Sequence, residues 1–160
     1  MRLKTRMLRN LLTAALAFAC ILLCGKIAAA RDVAIVTRKN GRVQVMKAAD
    51  LARMMKTTHK WLDGESLTVV VTDPSSPEMR LVAEKLLSLT PDEFKKLIVV
   101  ANKTKLTFLV TSSDDEALKT LQSNPLAIGL VNVYSINGNV DVLKIDGKLP
   151  LEPGYVLHSQ

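Results

Sequence analysis

The run Leu67-Thr68-Val69-Val70-Val71 constrains this chain more than any other stretch, because it leaves almost no polar face. A β-strand turns successive side chains to opposite sides of its sheet, so a near-continuous apolar strand must be covered on both faces. Asp73, Pro74, Ser75, Ser76 and Pro77 end the run, and apolar residues at helical spacing come next at Met79, Val82, Ala83 and Leu86. A strand that passes directly into an amphipathic helix begins a crossover unit, which points to a layered α/β fold.

The rest of the chain repeats that alternation. Residues 33–37 read as a short β-rich strand, closed by a polar loop at Lys39, Asn40 and Gly41. Ala48, Leu51, Ala52 and Met55 predict a helix over 47–56, its methionines serving as adaptable core filler. Ser76 is placed to cap the second helix, with Pro77 at the first position, where a missing N–H costs nothing. Thr90 and Glu93 form a capping box ahead of the apolar face Phe94, Leu97, Ile98 and Ala101. Ser113 through Glu116 repeats the device after a strand over 106–111, and Asn124-Pro125 stops that helix near Ser123. A strand over 126–134 contains Gly129, a position expected where another backbone comes close. Asn137-Gly138 is a strong hairpin signal leading into a strand over 140–145, which Asp146-Gly147 closes before a Pro-rich tail and Tyr155-Val156-Leu157. The expectation is an α/β sandwich with a mixed sheet, parallel through its helical crossovers and antiparallel at one hairpin.

Residues 1–30 differ in kind from the rest of the chain. Arg2, Lys4, Arg6 and Arg9 precede an apolar stretch over 11–24, and Ala28-Ala29-Ala30 supplies small residues. That order matches a secretory signal cleaved after Ala30, leaving a domain over 31–160 that is periplasmic or secreted. The apolar stretch is shorter than the ~20 residues of a bilayer-spanning helix, and Lys26 interrupts its extension; the alternative to cleavage is an uncleaved membrane anchor. The whole chain has a formal charge of +7, but residues 31–160 hold 17 basic against 15 acidic side chains. The basicity therefore belongs to targeting, and no nucleic-acid partner is expected. Both cysteines, Cys20 and Cys24, lie in the same leader, so the domain has no thiol for a disulfide, a nucleophile or a metal.

Catalytic constellations are missing as well. His59 and His158 are the two histidines, far apart in sequence and beside no nucleophile turn, phosphate loop or dinucleotide fingerprint. The chain is read as a non-enzyme with no cofactor and no metal. Asp114, Asp115 and Glu116 are accounted for by the positive end of a helix dipole. Binding chemistry is most plausible at Thr72, Ser75 and Ser76, where hydroxyls and the amides of a helix start could receive an oxyanion.

Several segments resemble one known family. Ala34-Ile35-Val36 and the helix with Leu51 and Met55 look like the entry of phosphate ABC transporter substrate-binding proteins, the PstS-like family. Thr57-Thr58-His59-Lys60-Trp61-Leu62-Asp63-Gly64 is similar to their threonine-tryptophan turn. Ser112 through Glu116, then Asn124-Pro125-Leu126-Ala127-Ile128-Gly129, resembles their final helix, Asn-Pro loop and Ala-Ile-Gly strand, and Asp146-Gly147 through Gly154-Tyr155 their closing segment. The resemblance implies a three-layer α/β/α single lobe of a type II periplasmic-binding-protein-like fold with a mixed sheet. It further implies phosphate or another small oxyanion as ligand, and a membrane transporter or sensor as partner. The second-lobe motif Arg-x-Asp-Gly-Ser-Gly-Thr falls on Val71 through Pro77, with Val71 in place of the arginine and Pro77 in place of an N–H donor. Asp73 remains as an unpaired carboxylate, so phosphate binding is expected to be weak. The alternative is a structural or interaction protein of the cell envelope with a vestigial anion site.

Overall fold

The computed structural model describes residues 31–41, 43–61, 63–104 and 107–159; residues 1–30, the expected secretory signal, and Leu106, the expected first residue of a strand, lie outside them. Among the described residues the chain runs β1 (Val33–Arg38), β2 (Val45–Met46), α1 (Ala48–Arg53), β3 (Thr68–Val71), α2 (Pro77–Leu81), α3 (Pro91–Thr104), β4 (Phe108–Val110), α4 (Asp114–Ser123), β5 (Ala127–Asn132), β6 (Val140–Val142) and β7 (Lys144–Ile145). α1 and α2 each continue into a wider π turn, over Met54–Thr58 and Val82–Leu86.

The main sheet has the order β4-β3-β5-β1-β6. β3 lies parallel to both β4 and β5, as expected for strands linked through helices. Its two faces explain its apolar sequence. Val69 and Val71 pack on one side with Ile35, Ile128, Leu130 and side chains from α1, α2 and α3. Val70 packs on the other with Ala34, Val36, Val131 and the α4 residues Ala117, Leu118 and Leu121. The result is the expected three-layer α/β/α arrangement with a mixed sheet.

The expected hairpin does not form. β1 lies between β5 and β6 and is antiparallel to both, so the two later strands never pair with each other. Val33, Ala34, Ile35 and Val36 are all fully buried, and such an apolar strand is accommodated only with partners on both edges. Residues 133–139 carry the chain back past β1 instead, starting with a short 3₁₀ turn at Val133–Ser135. Asn137-Gly138 still makes a tight turn, with the Asn139 amide donating to Asn137 Oδ1 at 3.0 Å. It docks on the far end of β1, where Lys39 Nζ donates to the Gly138 carbonyl at 3.0 Å. The single strand expected over 140–145 is likewise split. Leu143 donates its amide to the Ile35 carbonyl, and β7 then leaves to pair with β2 in a separate parallel ribbon. Gly129 also differs from expectation: a Cβ there would meet side chains, Leu121 Cδ1 at 2.6 Å and Val36 Cγ2 at 3.3 Å, rather than backbone.

The tryptophan turn is a structural joint. Trp61 is buried, and its Nε1–H donates to the Leu126 carbonyl at 2.8 Å, tying the turn to the start of β5. His59, in the left-handed region at φ 50°, sets its ring edge-on to Phe108. A second joint closes the two ends of the domain. Val33 donates its amide to the Leu157 carbonyl, and the fully buried Asp32 accepts from the Ser159 amide at 2.7 Å. His158 Nδ1 lies 2.9 Å from the same carboxylate oxygen. Tyr155 and Leu157 fill the core beneath, and burial pushes the Tyr155 phenol pKa up, a rise the Ile35 backbone partly opposes.

Candidate functional site

β3, β4 and β5 are parallel to one another, so their carboxyl ends emerge at the same edge of the sheet. Open α/β sheets place ligands in the crevice outside these ends, because the loops after the strands diverge there. In this protein that edge carries a cleft of about 700 Å³. Thr72, Asp73, Ser76 and Glu78 line it from the β3–α2 connection. Ser112, Ser113 and Asp114 come from the β4–α4 connection, and Asn132, Tyr134 and Ser135 lie at the end of β5 and beyond it. The starts of α2 and α4 thus face one cavity.

Of the three residues singled out by sequence, Thr72 and Ser76 line this cleft, whereas Ser75 does not. The donors around them are largely engaged within the chain. The Ser75 amide donates to Asp73 Oδ1 at 2.8 Å, and the Ser76 amide to the Asp73 carbonyl at 2.9 Å. Ser76 Oγ accepts from the Met79 amide at 3.2 Å, the expected N-cap. Val71, which stands where the related motif has arginine, is fully buried in the core.

The α4 side is similarly self-contained. Ser113 Oγ accepts from the Glu116 amide, but Glu116 returns to Ser112, one residue before a strict capping box, taking both its hydroxyl and its amide at 2.7 Å. These bonds, the hydroxyl first, hold the Glu116 carboxyl below its ordinary pKa. Asp114 Oδ2 accepts from Ser135 Oγ at 2.6 Å and from the Asn132 amide at 3.1 Å, joining α4 to the end of β5.

The cleft is therefore rich in hydroxyls and acidic. Asp73, Glu78 and Asp114 line it, no lysine, arginine or histidine does, and among the described residues none of the three carboxylates has an ion-pair partner. At a separation of roughly 4 Å, each carboxylate costs a bound anion about 1–4 kcal/mol per unit charge. Among the described residues no group of three or more His, Cys, Asp or Glu side chains is arranged to hold a metal ion.

The β4–α4 and post-β5 residues were legible in the sequence only as capping and turn signals. The order of strands makes them a site, since a residue just after a parallel strand becomes a cleft residue only once its neighbours are known.

Solved structures share this fold. The chain matches PstS from Borrelia burgdorferi with a TM-score of 0.60 at 14% identity, covering 81% of this chain and 55% of that one. It matches an ABC-type phosphate transport receptor from Vibrio cholerae with a TM-score of 0.61 at 17% identity, covering 79% of this chain and 53% of that one. No protein-family model matches the chain, and no curated protein matches it. The chain thus has the fold of phosphate-transport solute-binding proteins and spans about half the length of the two structures.

Proposed function

We propose that this protein is an exported, non-catalytic solute-binding-like module that holds a small oxyanion weakly and docks on a membrane transporter or sensor. The observation that carries the reading is the cleft at the carboxyl ends of β3, β4 and β5, where the hydroxyls of Thr72, Ser76 and Ser113 keep their protons available while those of Ser112 and Ser135 donate to Glu116 and Asp114. Hydroxyls suit an oxyanion because each donates one proton and rotates to meet it. Weak binding is expected from the three unpaired carboxylates and from amides already engaged by Asp73 and Glu116. Likeness to proteins named for phosphate transport supports the ligand class and the exported setting. In addition, no helix among the described residues is long and apolar enough to cross a membrane.

The test is a titration with inorganic phosphate followed by amide chemical shifts. Thr72, Ser75 and Ser76 should move at millimolar phosphate; resonances that stay fixed there remove the ligand from this reading.

One observation favours a second reading, a structural or interaction protein of the cell envelope with a vestigial anion site. The chain's own carboxylates occupy several donors that an anion would need. Recovery of a stable membrane-protein partner, combined with unchanged amide shifts in phosphate, would favour it.

A further inference from the structure

A second cavity lies beside the joint between the ends of the domain, on another side of α2. It is about 280 Å³ in volume and is lined by Arg31, Pro77, Arg80, Leu81, Glu84 and Ser159. Pro77, Arg80, Leu81 and Glu84 have the i, i+3, i+4, i+7 spacing of one helix face. Arg31 and Ser159 face that row from the joined ends of the domain, held there by the Arg31 amide donating to Ser159 Oγ at 2.8 Å. We infer that this cavity is a small-oxyanion site in which the guanidinium groups of Arg31 and Arg80 hold the anion.

Three observations carry this. First, the fold makes no use of either guanidinium: among the described residues neither has a hydrogen bond or an ion pair, whereas Arg53 is paired with Asp50 at 3.0 Å. Two planar forks beside one small cavity match the geometry of a tetrahedral or planar oxyanion, which each can engage through paired N–H donors. Second, the nearby acids leave that charge available. Glu84 lies beyond ion-pair distance of both arginines, and Asp32, behind Ser159, is taken up by the Ser159 amide, its hydroxyl and His158. Third, the cavity is at the small end of ligand pockets and has ample room for an ion the size of inorganic phosphate.

Among the described residues two other cavities have basic side chains: in one, Lys47 shares the lining with Asp50 and Asp146, and the other, at Arg38 and Lys39, is a poorer candidate as well. Its Lys39 ammonium already donates to the Gly138 carbonyl. The arginine pair also contrasts with the acid-lined cleft, so an anion choosing between the two by charge alone would take the arginines. The arginine site rests on the ligand class of the proposed function but assigns the anion to different residues, and the two can fail separately.

The experiment is titration of the ¹⁵N-labelled protein with inorganic phosphate at constant ionic strength, repeated on Arg80→Gln, Arg31→Gln and Arg53→Gln. Saturable shifts at Arg80, Glu84 and Ser159, including the arginine Nε–H signals, are expected in the parent protein. Arg80→Gln or Arg31→Gln should raise the phosphate Kd about tenfold, as loss of a charge-assisted pair does, and Arg53→Gln, which removes the same charge at a residue lining neither cavity, should leave it unchanged. Saturable shifts confined to Thr72 and Ser76 and insensitive to Arg80→Gln would overturn the arginine site while upholding the cleft. Shifts that never saturate, or none at all, would overturn both. Arg80 is exposed on α2, so its variant should retain the parent spectrum elsewhere, and Arg31→Gln gives an independent check should it not.

Discussion

At Thr90 a single carboxylate satisfies the start of α3. Glu93 Oε2 accepts from the Thr90 amide and from its hydroxyl, both at 2.8 Å, while Thr90 Oγ1 accepts from the Glu93 amide at 3.3 Å. Helix starts leave amides with no partner inside the helix, and a threonine cap removed to alanine typically costs about 1 kcal/mol. Thr90→Ala is therefore expected to lower the unfolding free energy by about that amount, measured by urea denaturation. The same bonds, the backbone one foremost, hold the Glu93 carboxyl below its ordinary value of 4.5. A carboxyl with a depressed folded pKa contributes stability above its unfolded pKa and loses it as pH falls through the folded value. Glu93→Gln should accordingly melt below the parent at neutral pH, and the gap should close in acid as the parent's Glu93 is protonated. A gap that stays constant across the acid range would show that the charge is not what the cap uses.

Among the elements, β5 and α4 are closely fitted at Gly129. Gly129 leaves room for Leu121, which is fully buried against the sheet. Replacing Gly129 with alanine puts a methyl group where Leu121 Cδ1 now lies, and overpacking of this kind costs about 1–3 kcal/mol. The cost should shrink when Leu121 is shortened to alanine in the same chain, so a double-mutant cycle should give a coupling energy clearly different from zero. Independent effects would mean that the close approach is not the reason for glycine. Helices and their starts were largely legible from sequence, since Ser76, Thr90 and Ser113 act as caps through bonds reaching three residues along the chain. Strand pairing was not legible in the same way. Asn137-Gly138 makes the turn its residues favour, yet the strands on either side of it are parted by β1, from the other end of the domain.

For the whole molecule, closure of the ends is the decisive contact. Residues 31–33 meet residues 157–159 through Val33–Leu157, Asp32–Ser159 and Asp32–His158, above a core that contains Tyr155 and Leu157. Leu157→Ala should cost about 2–5 kcal/mol, the usual range for emptying a buried leucine site. Removing residues 155–160 altogether should abolish the cooperative thermal transition, as measured by circular dichroism. It would strip two core side chains and leave the buried Asp32 carboxylate without Ser159 or His158, a costly change for a charge at 0% exposure. A truncated chain that melts cooperatively at the parent temperature would show that the ends are not needed to hold β1 in the middle of the sheet.

Sequence alone determined the layered α/β class, the caps and the apolar strands, because propensity, capping and side-chain period act over a few residues. It also located Thr72 and Ser76 at a strand-to-helix connection. Only the tertiary structure decided that β1 separates β5 from β6, that Ser112, Asp114, Asn132 and Ser135 share the cleft with them, and that Arg31 and Arg80 line one cavity. Those juxtapositions join residues far apart in the chain, and no local preference specifies which distant partners a buried strand or a free charge will find.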